Sequence, residues 1–434
     1  MTSARIPTAS VAVRAIRSGT LRVTELADVL LGRIERLDQR IHAWVAVDRE
    51  GALARARQLD DDVQHGRLLP LHGLPIGVKD VVDVAGLPTR AGYAPYARRP
   101  PAERDAAIVE QFRSLGAVIL GKTETTQFAH ADPAPTRNPW NLERTPGGSS
   151  SGSAAAVAAG MTLAAIGTQT AGSVLRPAAF CGVVGFKPSF NWMPREGVIP
   201  LAWSLDHLGL LTRSVEDAAL IYGALVGAHV DVVAPLLPPR IGLLTAFLER
   251  AQPAVAAHLN DVANRLNRMG ADVRDVDLPV DIDLLLAVHA TIMQSEVAAV
   301  HAQQLAADPA SYGPRLRADV ELGQLIPAVY DIQARRHRRW IGRAVDRLFD
   351  GVDVLLLPTV SDIPPGPDTT GDPTFQAPWT LLGTPAVSLP TGLGPTRLPI
   401  ASQLVGRRGD DAHLLAIAAW CERALGTVPL PALD

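Results

Sequence analysis

The chain has 434 residues, of which 47% are hydrophobic and 20% are charged, and its formal net charge is −3 at pH 7. This composition is typical of a globular protein with ample core, and it excludes an intrinsically disordered chain. A slightly acidic balance also disfavours nucleic-acid binding, because nucleic-acid binders normally carry a basic excess.

Predicted helices and strands alternate along much of the chain. Helices are predicted over 24–38, 50–65, 105–115, 157–164, 253–269, 284–307, 328–349 and 411–425, and one more begins at the N-cap Ser214. Strands are predicted over 116–123, 182–186, 241–245, 271–276, 352–357, 384–390 and 400–406, with short strands and turns over 71–92. This alternation is typical of α/β proteins. Because no linker interrupts it, we expect one domain over 1–434, with a helical cap or subdomain at about 230–345.

Three features that the sequence lacks indicate the cellular compartment of the protein. The N-terminal residues show no charged-then-apolar signal, and the longest apolar run, 154–166, is shorter than the roughly 20 residues that span a bilayer. Two cysteines, Cys181 and Cys421, are too few for a disulfide framework. We therefore expect a cytoplasmic protein that makes no membrane contact.

The most informative segment is 147–177, which reads GGSSSGSAAAVAAGMTLAAIGTQTAGSVLRP. A Gly/Ser turn leads into an Ala-rich helix, and a second Gly-bracketed turn carries Ser173. Such a segment brings hydroxyl groups and unencumbered backbone N–H groups into one small space. These are the groups needed to attack a carbonyl and to hold the oxyanion that results.

Lysine usage singles out a second residue. The chain contains only three lysines, Lys79, Lys122 and Lys187, so 41 − 3 = 38 of its basic residues are arginines. A retained lysine supplies an amine that can lose its proton, which arginine cannot do in a protein. The apolar neighbours of Lys79 favour burial, and burial lowers the pKa of an amine. We interpret Lys122 and Lys187 as structural.

The chain resembles the amidase signature family over nearly its whole length. LHGLPIGVKD, GKTETTQFA, RNPWN, the Gly/Ser segment, CGVVGFKPS, SLDHLGLLTRSVEDAA, GTPAVSLPTG and QLVG occur in the family's order. The resemblance implies an α/β fold with a large mixed, mostly parallel twisted sheet covered by helices on both faces. It also implies hydrolysis through a Ser–Ser–Lys triad, with an acyl-enzyme intermediate and no cofactor or metal.

The triad is carried over position by position. Ser173 matches the nucleophile, Ser149 the bridging serine in a cis conformation, and Lys79 the general base. The family's oxyanion hole maps onto the backbone N–H groups of Thr170, Ala171, Gly172 and Ser173.

Three further residues are candidate substrate contacts. Arg176 resembles an arginine of the malonamidase-like branch that contacts a substrate carboxylate, although it could instead brace the loop through backbone carbonyls. Gln169 stands where many members carry Asp, and Trp379 lies near a pocket segment, although large aromatic residues are more often core.

We therefore predict an amidase that cleaves a C–N bond of a small carboxamide. A carbamate presents the same carbonyl to the nucleophile, so urethane cleavage is a further prediction. The expected partner is a small molecule alone, with no nucleic acid or membrane, and a homodimer is the oligomer considered. One alternative is an amidotransferase-type amidase subunit that needs partner proteins. Another is a Ser–His–Asp α/β-hydrolase, which the G-x-S-x-G match at 148–152 suggests.

Overall fold

The computed structural model describes residues 6–232 and 237–433. Within them, the helices are α1 Ala9–Arg17, α2 Val23–Ile41, α3 Arg49–Gln64, α4 Ala107–Ser114, α5 Ser151–Ala158, α6 Leu175–Cys181, α7 Val215–Val226, α8 Thr245–Leu248, α9 Pro253–Arg268, α10 Ile282–Ala307, α11 Pro314–Leu325, α12 Ala328–Asp346, α13 Ala377–Leu382 and α14 Asp411–Leu425. The strands are β1 Trp44–Val47, β2 Pro75–Lys79, β3 Val118–Thr123, β4 Ala164–Gln169, β5 Val184–Lys187, β6 His207–Thr212, β7 Arg240–Leu244, β8 Asp272–Val276, β9 Val354–Pro358, β10 Ala386–Leu393 and β11 Pro399–Gly406.

These strands form one mixed sheet, ordered β1-β3-β2-β4-β6-β5-β10-β11-β9-β7-β8, with helices around it. The predicted α/β fold with a large mixed sheet is confirmed. The expectation that most pairings are parallel needs correction, because four of the described pairings are parallel and six are antiparallel. Short connections such as the one from β10 to β11 can only join antiparallel neighbours, whereas parallel strands need long crossovers.

The domain prediction is not decided by this architecture. Within the range predicted as a cap, β7 and β8 extend the same sheet beside β9, while α10 packs against α11 and α12. One domain with a helical cap therefore stays a prediction.

The predicted helix over 157–164 was wrong. Helix α5 begins at Ser151 and ends at Ala158, where Gly160 turns the chain with a φ of +64°, and strand β4 starts at Ala164. Glycine adopts this left-handed conformation readily and commonly ends helices. Every residue of α5 and β4 is buried, so neither element has the alternation between polar and apolar faces that sequence patterns reveal.

Helix α10 has the length and hydropathy of a membrane-spanning segment. It packs against α11, α12 and α13, and Leu285, Ile292 and Val297 on it are buried in the core. These contacts are those of a helix packed against the protein core.

The sheet sets the position of the Gly/Ser segment. Strands β2 and β4 are parallel neighbours, with Val78 paired to Ile166, so their C-terminal ends meet at one edge. Lys79 is the last residue of β2, and the turn that carries Ser173 follows β4 directly. Helix α5 connects the Gly/Ser turn to β4, which brings both turns to the same end of these strands.

Candidate active site

Lys79 lies at the centre of the site and is fully buried. Its Nζ is 2.7 Å from Ser149 Oγ, 2.7 Å from Thr168 Oγ1 and 3.4 Å from the Thr168 carbonyl. Burial holds the pKa of Lys79 well below its usual value, and the charge of Asp206 only partly opposes this shift. The amine is therefore favoured in its neutral form, which has a lone pair to receive a proton.

Ser149 lies in a turn of unusual backbone. The Gly148–Ser149 peptide bond is cis, and Gly147 has a φ of +80°. A side chain at Gly147 would also clash with the backbone of Pro177. Both the positive φ and this close contact therefore favour glycine here.

The neighbouring serines fasten this turn rather than capping α5. Ser150 Oγ is 3.2 Å from both the N–H and the carbonyl of Thr168, and Ser151 Oγ donates to the Gly147 carbonyl. Ser153 Oγ donates to the Ile166 carbonyl. The turn is thereby held against β4, beside the lysine amine.

The predicted nucleophile sits on the turn after β4. The carbonyl of Ser173 accepts a hydrogen bond from the Ser150 N–H at 3.2 Å, so the two turns are joined. The Ser173 side chain is nearly buried, at 6% exposure. Among the described residues, its hydroxyl makes no hydrogen bond, to Ser149 or to any other group. The structure thus brings Lys79 and Ser149 into contact and ties the Ser173 backbone to the same turn.

The carbonyls of the predicted oxyanion loop are fixed by surrounding side chains. His289 Nε2 donates to the Thr170 carbonyl at 2.9 Å, and Thr380 Oγ1 donates to the Ala171 carbonyl at 2.7 Å. Burial lowers the pKa of His289 to about 4, so its ring is neutral at pH 7. No hydrogen bond within the described residues uses the N–H groups of Ala171, Gly172 or Ser173. A loop whose carbonyls are engaged and whose N–H groups are not could hold an oxyanion.

Sequence reasoning missed the side chains that support the loop and the amine. Thr170 Oγ1 donates to Asp206 at 2.6 Å, and burial raises the pKa of Asp206 to about 6. Thr168, Asp206 and His289 come from three separate elements. The signals for the first two were present in GTQT and SLDH, but nothing in the sequence of α10 set His289 apart.

The other two lysines are also buried. Lys122 Nζ is 2.8 Å from Asp80 Oδ1, and both side chains are fully buried. Asp80 therefore points to Lys122 and not to the adjacent Lys79. Lys187 donates to the carbonyls of Thr384 and Pro188, which agrees with the structural interpretation of these two lysines.

The candidate substrate contacts make protein contacts in this structure. Arg176 is buried and donates to the Gly148 carbonyl at 2.8 Å, while its Nε and Nη1 have no partner among the described residues. Gln169 accepts from the N–H groups of Val174 and Leu175. Trp379 is fully buried, with its ring near Phe247. Their roles toward a substrate stay predictions, as do those of the triad and the oxyanion loop.

No group of three or more His, Cys, Asp or Glu side chains in the described ranges is arranged to hold a metal ion.

A protein-family model described as Amidase matches residues 25–415. The chain belongs to the amidase family. It is 33% identical to one of the subunits of the glutamyl-tRNA(Gln) amidotransferase of Roseiflexus sp. (strain RS-1), with 96% of each chain covered. Activity on carbon–nitrogen bonds other than peptide bonds is thus confirmed for this amidase, whereas carbamate cleavage stays a prediction.

Solved structures agree with this assignment. One described as an amidase is 33% identical, with a TM-score of 0.90 over 97% of this chain and 100% of that one. Another belongs to a vestigial protein complex that bears on the origins of an s-triazine catabolic enzyme. It is 30% identical, with a TM-score of 0.90 over 98% of this chain and 100% of that one.

These comparisons correct the partner prediction. We expected an amidase that works alone on a small molecule, or as a homodimer, without nucleic acid. The curated relatives are instead named as subunits, and the assembly they are named for is an amidotransferase of glutamyl-tRNA(Gln). They favour the alternative of an amidotransferase-type subunit over the main prediction. The sequence left both open, because a free amidase and an amidase within a larger assembly need the same catalytic residues.

Proposed function

We propose that the chain is the amidase subunit of an amidotransferase-type assembly, in which it cleaves a carboxamide and releases ammonia. The observation that carries the proposal is the fully buried Lys79 amine 2.7 Å from Ser149 Oγ, on a chain whose curated relatives are amidotransferase subunits. We propose that the enzyme acts in the cytoplasm. Its two cysteines are free and buried, as is usual in a reducing compartment.

In the first half of the reaction, the neutral amine of Lys79 accepts the proton of Ser149. Ser149 in turn takes the proton of Ser173, and Ser173 Oγ forms a bond to the carboxamide carbon. The carbonyl oxygen becomes an oxyanion, which the N–H groups of residues 170–173 stabilise. The tetrahedral intermediate collapses when its C–N bond breaks. Ser149 donates its proton to the departing nitrogen and regains one from the Lys79 ammonium, so that ammonia leaves and Lys79 is neutral again.

The second half removes the acyl group from Ser173. Water attacks the ester carbonyl, and the Ser149–Lys79 pair accepts its proton and returns one to Ser173 Oγ. The products are a carboxylic acid and the regenerated enzyme. Each group of the site acts twice, which requires that Lys79 be neutral at the start of each half.

The catalytic part is tested by acyl-group trapping. The purified chain is incubated with L-glutamine, small diamides and aryl carbamates in the presence of hydroxylamine, and hydroxamate and ammonia are measured. We expect both products from a carboxamide, and neither from the Ser173→Ala variant. Hydroxamate formed by that variant would refute Ser173 as the nucleophile.

The assembly part needs a separate measurement. The tagged chain is purified from its own host under mild conditions, and its mass in solution is compared with the 46.0 kDa of one chain. We expect a larger complex that contains a second polypeptide and releases ammonia faster than the isolated chain. The proposed assembly would be refuted if the host yielded only a 46.0 kDa species whose rate on free carboxamides equals that of the isolated chain. That result would leave the catalytic proposal unaffected.

A further inference from the structure

A cavity away from the candidate active site lies between helix α12 and the segment that joins α13 to β10. Its volume is about 300 Å³, which is at the lower end of the range for small-molecule sites. Arg338, Arg339 and Arg343 line it from α12, Thr384 lines it from the segment between α13 and β10, and Arg408 lines it from the turn after β11. None of its lining residues belongs to the turns that carry Ser149 and Ser173.

The charge of this arginine cavity is strongly unbalanced. Four guanidinium groups line it, and Asp346 is the one carboxylate among its described lining residues. Arg339, Arg343 and Arg408 form no ion pair or hydrogen bond with any residue in 6–232 or 237–433. Positive charges gathered in a concave site raise the local concentration of anions.

The contrast with a neighbouring arginine shows that this imbalance is local. Arg335, one turn earlier on α12, pairs with Glu296 and Asp331 at 2.8 Å each. Arg338 donates to the hydroxyl and the carbonyl of Ser204 and forms no ion pair with a carboxylate in 6–232 or 237–433. The structure thus divides the arginines of α12 into a paired part and an unpaired part.

We propose that the arginine cavity binds a small phosphate-bearing anion. A guanidinium presents parallel N–H groups that match two phosphate oxygens, and a phosphate group brings close to two negative charges at pH 7. Arg339 and Arg343 are four residues apart, so they lie on one face of α12 and can grip one ligand together with Arg408. The small volume suits an organic phosphate or pyrophosphate better than a polymer.

Titration calorimetry with inorganic pyrophosphate tests the proposal. We expect one molecule to bind per chain, and the Arg339→Ala/Arg343→Ala variant to bind about 10-fold or more weaker, because charge-assisted hydrogen bonds are lost. The Arg36→Ala/Arg40→Ala variant is the matched control, since it removes two exposed arginines with the same spacing from α2. Circular dichroism checks that both variants are folded.

A 15-residue uridine oligonucleotide distinguishes a nucleic-acid backbone from a small anion. We expect no binding of the oligonucleotide at a salt concentration where pyrophosphate binds. Absence of pyrophosphate binding, or equal weakening in both variants, would overturn the proposal. So would oligonucleotide binding that is lost in the Arg339→Ala/Arg343→Ala variant while pyrophosphate fails to bind.

Discussion

Thr168 offers the sharpest test of how the lysine amine is controlled. Its Oγ1 lies 2.7 Å from Lys79 Nζ, and that is the only hydrogen bond described for this hydroxyl. Replacing Thr168 by Val keeps the shape of the side chain and removes one bond, worth about 1 kcal/mol or roughly a five-fold change in rate. We expect kcat/KM to fall by about that factor, because Nζ loses an anchor that orients it toward Ser149.

The same variant should also move the pH profile. The Thr168 hydroxyl stabilises the charged ammonium as an acceptor, so its loss lowers the pKa of Lys79 further. If neutral Lys79 is the base, activity rises with pH through this pKa, and the rising limb moves to lower pH in the Thr168→Val variant. Initial rates of ammonia release, measured across pH on the best carboxamide of the panel, provide the readout.

A matched substitution separates this effect from general damage. Thr212 is fully buried on the neighbouring strand β6, and its hydroxyl donates to the Ser214 carbonyl. The Thr212→Val variant should leave the pH profile in place. The control of the Lys79 pKa by Thr168 would be refuted if the rising limb of the pH profile moved to higher pH in Thr168→Val, or moved equally in both variants.

Three further predictions concern the loop and the core. Ser173→Ala should abolish turnover while circular dichroism stays unchanged, and a collapsed spectrum would point to a structural role. Arg176→Ala should lower kcat/KM about 10-fold or more for neutral and anionic amides alike, because the Gly148 carbonyl loses its donor; a rise in KM for anionic amides alone would favour carboxylate docking. Asp80→Asn should destabilise the protein by about 3–5 kcal/mol in urea unfolding, since it leaves Lys122 buried and unpaired. Glu321→Gln removes one partner of the half-exposed pair with Arg317 and should lower the free energy of unfolding by about 0.5 kcal/mol or less. Equal destabilisation by Asp80→Asn and Glu321→Gln would refute a special role for the buried pair.

The sequence was sufficient for the parts of the site that lie in continuous motifs. Lys79 ends a short apolar strand, and Ser149 and Ser173 lie in glycine-rich turns, so each could be selected from its immediate neighbours. Helices α2 and α14 were located nearly to their ends because their apolar residues recur on one face.

The remaining parts depend on contacts between distant segments. Thr168 reaches Lys79 across 89 residues, and His289 reaches Thr170 across 119, so no local pattern marks either pair. Strand β4 was missed because it is buried on both faces, which removes the alternation that identifies a strand. The number of antiparallel strand pairs was also missed. The direction of each pair depends on which strands become neighbours, and contacts across the whole sheet decide that order.

The complete burial of Lys79, Lys122 and Lys187 has a practical consequence for handling this protein. Reagents that acylate ε-amino groups find no target on the native surface, whereas a denatured molecule offers three. Mass spectrometry after brief labelling would therefore count opened molecules directly. Coupling to a solid support through lysine would select damaged protein over intact enzyme.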